Sequence, residues 1–97
     1  MILQFHNNAI LDIRQAINWY EDEKPGLGRR FNANLNTTLR KVLKSPLQFP
    51  LLFEDYRKAR LSKPFPFKVI FMIQDNEVYV VAVAHDKRDP EAWKERV

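Results

Sequence analysis

Phe67-Lys68-Val69-Ile70-Phe71-Met72-Ile73-Gln74, Asp75-Asn76 and Glu77-Val78-Tyr79-Val80-Val81-Ala82-Val83-Ala84 follow one another without a break. Two β-rich runs separated by two turn-forming residues read as a hairpin. Upstream, Arg57 to Ser62 alternates and reads as a further strand, placing Ala59 and Leu61 on one side and Lys58, Arg60 and Ser62 on the other. The linker Lys63-Pro64-Phe65-Pro66 is barred from a central strand by its prolines. Downstream, the hairpin runs straight into His85-Asp86-Lys87-Arg88-Asp89-Pro90 and so delivers titratable and cationic groups to a sheet edge, a place suited to gripping phosphate.

The other half of the chain is helical. Met1 to Phe5 is a short N-terminal strand, and Asn7 or Asn8 can cap the helix that follows. Ala9, Ile13, Ala16, Ile17 and Tyr20 form one apolar stripe, with Trp19 off it. Both glycines of the chain lie in Pro25-Gly26-Leu27-Gly28, which marks a tight reversal. A second stripe, Leu27, Phe31, Leu35, Leu39, Val42 and Leu43, stops at Ser45-Pro46, because the residue before proline is pushed out of the α region. Residues 45–56, with two prolines and Leu47, Phe49, Leu51, Leu52 and Phe53, read as an irregular connection. In the tail, Asp89 is the expected cap and Pro90 the first residue of a short final helix carrying Trp93. The expected architecture is α+β: a helical hairpin on one face of a mostly antiparallel sheet, in the order β-α-α-β-β-β plus a short C-terminal helix.

Composition narrows the class. Ninety-seven residues make one expected domain, 1–97, and 45% hydrophobic residues suffice for a core. The apolar runs are strand-length, and no basic segment leads into an apolar one at the N-terminus, so a soluble cytoplasmic protein without a membrane partner is expected. The absence of cysteine excludes disulfides and thiol chemistry, and two histidines alone argue against a structural zinc. The net charge of +4 is uneven: residues 1–24 carry four acids and two bases, leaving 14 bases against eight acids in residues 25–97. A polyanion or an acidic protein is the partner such a balance favours; a solvated basic face is the plainer alternative.

Taken in order, Trp19-Tyr20-Glu21, Pro25-Gly26-Leu27-Gly28, Arg30-Phe31, Pro46, Phe49-Pro50, Arg57-Lys58-Ala59-Arg60-Leu61, Phe65-Pro66-Phe67, Ala82-Val83, His85 and Arg88-Asp89-Pro90 resemble the RelE/ParE superfamily of toxins over nearly the whole chain. The resemblance implies a type II toxin that arrests growth unless a cognate antitoxin covers it. It lies nearer the ParE-like, plasmid-stabilisation branch, which poisons DNA gyrase, than the RelE-like branch, which cuts messenger RNA on the ribosome. A non-toxic basic module that binds nucleic acid through the same fold is the rival reading.

Metal-free RNA cleavage needs a base, an acid and cations around the phosphate, and no cofactor. The candidate catalytic residues are Arg60, His85 and Arg88, with Tyr79 as a further proton-transfer group; target or nucleic-acid binding would fall to Lys58, Arg60, Lys87 and Arg88. Lys87 and Arg88 would lower the pKa of His85, which is otherwise a structural hydrogen-bonder at a strand end. Arg88 is alternatively a partner for Asp89 or Glu91. The chain departs from the cleaving members in carrying Asp86, not an aromatic residue, after His85. For the antitoxin, a small, acidic, amphipathic segment is expected to contact Trp19, Phe49, Leu51 and Trp93.

Overall fold

The computed structural model describes residues 1–88 and 91–97. Strand β1 (Ile2–Phe5) leads into helices α1 (Asn7–Glu23) and α2 (Leu27–Lys44), a 3-10 turn at Pro46–Gln48, strands β2 (Leu51–Phe53), β3 (Tyr56–Arg60), β4 (Phe67–Gln74) and β5 (Glu77–His85), and a 3-10 turn at Ala92–Arg96. The strands form one sheet in the order β1-β5-β4-β3-β2, antiparallel except for the parallel pair β1 and β5. The α+β expectation holds, with two changes. The supposedly irregular 45–56 segment contributes a fifth strand, β2, too short and too close to proline to show a period. The final helix is a 3-10 turn, and its expected start at Asp89-Pro90 lies outside the described residues.

The helical reversal explains both glycines. Gly26 has φ +89°, a left-handed conformation in which a side chain would be strained. A Cβ on Gly28 would meet the Ile17 carbonyl oxygen at 2.6 Å, so the helices can approach this closely only at glycine. The Glu21 carboxylate accepts N–H bonds from Gly26 and Gly28 at 2.9–3.1 Å, placing an anion at the α2 N-terminus, where the helix dipole favours it. At the start of α1 the cap is His6, not Asn7 or Asn8. The His6 backbone N–H donates to Val80 O, and its ring Nδ1 accepts from the Asn8 N–H.

The helices cover one face of the sheet. Phe31, Leu35 and Val42 of α2 and Ala9 and Ala16 of α1 pack on Ala59, Val69, Phe71, Val78, Val80 and Val83. Tyr20, Phe31, Phe65 and Phe67 form an aromatic knot with ring centroids 5.0–6.1 Å apart. Along β3 the expected alternation is found, with Ala59 and Leu61 buried toward the helices and Lys58 and Arg60 on the opposite, open face.

The β4-β5 hairpin turns through Asp75 and Asn76, both at positive φ as a two-residue turn requires. Its register then slips by one: Phe71 pairs with Val80 but Ile70 with Ala82, so Val81 is a bulge. Before the bulge, even-numbered β5 residues (Val78, Val80) face the helices; after it, odd-numbered ones do (Val83, His85). Val81 and Ala82 are thereby turned to the open face, where Ile70 and Trp93 complete a second, smaller cluster.

Candidate functional site

The end of β5 serves both faces of the sheet. Past the bulge, His85 points to the helix side, opposite Phe67 and in edge contact with its ring at 5.1 Å. There it lines, with Ala16, Trp19, Tyr20, Pro66, Phe67 and Arg88, a cavity of about 450 Å³. The His85 Nδ1 accepts the Lys87 N–H at 3.1 Å, so any ring proton of the neutral form sits on Nε2. Burial, first, and the charges of Arg88 and Lys87 hold its pKa below the ordinary histidine value against the opposing pull of Asp86. The direction is the one the flanking cations suggest, but desolvation is the larger cause. These surroundings therefore favour the neutral imidazole of His85.

One residue on, Asp86 faces the other way. Its carboxylate takes both ends of the Arg60 guanidinium, with Nη1 to Oδ1 at 3.1 Å and Nη2 to Oδ2 completing the fork, and lies 3.9 Å from Lys68 Nζ. Arg60 pairs with Lys68 across β3 and β4, and Lys58 pairs with Ile70, so these three cations share the open face. The expected catalytic set is not brought together: Arg60 stands on the open face and engages Asp86, whereas His85 and Arg88 line the helix-side cavity. Tyr79 belongs to the open-face cluster and also stands apart from His85. Glu91 pairs with Lys94 and not with Arg88, and Asp89 lies outside the described residues.

The four expected partner anchors divide. Trp19 and Leu51 are exposed, at 54% and 57%. Phe49 is half-buried, edge-on to Phe71 at 6.0 Å, with its carbonyl accepting from Arg57 at 2.7 Å. Trp93 is corrected from surface anchor to core: it is 2% exposed, because the bulge presents Val81 and Ala82 outward and the ring covers them beside Phe53 and Tyr56.

Sequence reasoning passed over a third arrangement. Asp12 of α1 forms a two-pronged ion pair with Arg96, at 2.7 and 2.9 Å, while accepting the Val83 N–H at 3.0 Å; Arg96 also donates to the Val81 carbonyl at 3.0 Å. These side chains act as a substitute strand along β5 beyond the reach of β1, joining α1, the bulge and the C-terminal turn. Asp12 carries no local signal of this role, since an acid on an amphipathic helix usually faces water. Among the described residues, no group of three or more His, Asp or Glu could hold a metal ion, and no helix is long and apolar enough to cross a membrane.

A helical hairpin on a five-stranded sheet, with cations gathered at the end of β5, defines a toxin domain of the RelE/ParE superfamily. Residues 3–90 match the family described as "ParE toxin of type II toxin-antitoxin system, parDE", and the chain belongs to that family. It is similar to "Toxin ParE2" of Mycobacterium tuberculosis, in strains CDC 1551 / Oshkosh and H37Rv alike, with 29% identity over 91 residues that cover 93% of this chain and 86% of the relative. Its fold is shared with the solved structure "Chromosomal ParDE TA system from P. aeruginosa", at TM-score 0.77 and 16% identity, covering 88% of this chain and 95% of that one.

Proposed function

We propose that this protein arrests growth by binding DNA gyrase, as a stoichiometric poison and not as a ribosome-dependent nuclease. The observation that supports this reading is the separation of Arg60 from His85. Cleavage at a 2′-hydroxyl needs a proton acceptor and phosphate-holding cations within reach of one phosphate. Here the sheet lies between His85 and Arg60, so that of the expected cations Arg88 shares the cavity with His85 while Asp86 fills the Arg60 fork. Gyrase inhibition requires only a binding surface. The helix-side cavity supplies one, with Arg88 at its rim and Trp19 as an exposed aromatic.

The partner in the resting cell is a cognate antitoxin with an acidic, amphipathic segment that contacts Trp19 and Leu51 and offsets the basic end of β5. Both proteins act in the cytoplasm, and carried on a plasmid the pair would stabilise its inheritance. The test is to induce the chain briefly without antitoxin, map messenger RNA 5′ ends, and assay supercoiling by purified gyrase with the purified toxin. Intact messages with blocked supercoiling are expected. New 5′ ends inside translated frames would overturn the proposal, and intact messages with normal growth and supercoiling would favour a harmless binding module.

A further inference from the structure

We propose that Asp86 is a built-in phosphate surrogate, whose carboxylate occupies the Arg60 fork beside Lys68 and withholds the cationic end of the open face from nucleic-acid phosphates. An arginine guanidinium takes a carboxylate and a phosphate in the same two-pronged geometry, so one excludes the other. The register of β3, β4 and β5 sets Lys58, Arg60 and Lys68 together, a cation group that would otherwise suit a phosphodiester backbone. Asp86 enters that group because it follows His85 immediately and so points to the opposite face.

Most exposed ion pairs contribute little and yield readily to competing ions. This one differs in how its acid is held. The Asp86 N–H donates to Pro66 O at 2.8 Å, extending the β4-β5 ladder, and its side chain is 16% exposed beside Lys68 at 11%. Arg60, at 57%, is the accessible member. A carboxylate tethered this way presents an effective concentration on the order of millimolar or more, which an incoming phosphate must exceed. Among the described residues, the open face thus keeps a diffuse positive field but no vacant two-pronged seat. This inference does not depend on gyrase being the target.

The test measures binding of a labelled single-stranded RNA 20-mer to the purified full chain by fluorescence anisotropy across a salt series. Asp86→Asn is expected to tighten binding about tenfold, the worth of one charge-assisted two-pronged contact, and to steepen the salt slope by about 0.7. Asp75→Asn is the control: it makes the same charge change in the hairpin turn, at the far end of β4 and β5, and should shift affinity less than about threefold. Adding Arg60→Gln to Asp86→Asn should abolish the gain. Equal effects of Asp86→Asn and Asp75→Asn, or a gain that survives the loss of Arg60, would overturn the proposal. If the amide destabilises the strand end, Asp86→Ser makes the same comparison. Because no gyrase is present, failure here is distinct from failure in the supercoiling assay.

Discussion

The two faces of the sheet use the end of β5 in opposite ways. On the helix side, His85 enters an aromatic-lined cavity with Arg88 at its mouth, surroundings that favour its neutral form. On the open side, Asp86 closes on Arg60 and Lys68, and Trp93 covers Ile70, Val81 and Ala82. One extra residue, Val81, decides which of the two neighbours takes which face, because a bulge inverts the facing of everything that follows it. A charged run read along the chain is therefore divided between opposite faces of the sheet.

That contrast can be tested by removing what maintains it. The largest effect is expected from Trp93→Ala, which strips the cover from the open-face cluster and should cost about 3–5 kcal/mol in urea unfolding. A cost below about 1 kcal/mol would mean that the C-terminal turn does not close that face. Arg96→Ala leaves the Asp12 carboxylate, with its side chain only 18% exposed, without its cation and frees the Val81 carbonyl; about 2–3 kcal/mol should be lost. Hydrogen exchange should then speed at Val83 more than at Val69, since Asp12 would hold the Val83 N–H less firmly.

The helix side is sharpened by pH. Because the folded-state pKa of His85 lies below its unfolded value, the native protein binds fewer protons than the unfolded chain in that range. Its contribution is complete above the unfolded value of about 6.5 and is lost as pH falls through the lower folded one. His85→Gln should flatten this part of the stability curve between pH 7 and 5; an unchanged slope would show that His85 does not titrate as its surroundings dictate. The smallest effect on stability is expected from Trp19→Ala, within about 0.5 kcal/mol of the parent, because the ring is more than half exposed. The same variant should weaken antitoxin capture about tenfold if the helix side is the docking face.

What the sequence determined by itself is whatever depends on local period and local backbone conformation. The two apolar stripes specify the helices, Gly26 and Gly28 their reversal, Asp75-Asn76 the hairpin, and the alternation of Lys58, Ala59, Arg60 and Leu61 the facing of β3. Each rests on residues a few positions apart, so each is legible without knowing the partners. Tertiary structure alone decided which of the chemistry-bearing groups meet. A period-two reading assumes an unbroken ladder, but the bulge at Val81 arises from pairing with β4 and is invisible within β5. The Arg60–Asp86 and Asp12–Arg96 pairs join residues 26 and 84 positions apart. Trp93 is core only because Val81 and Ala82 have been turned to meet it. Charge fixes what such groups can bind, whereas long-range register decides whether a neighbour has already bound them.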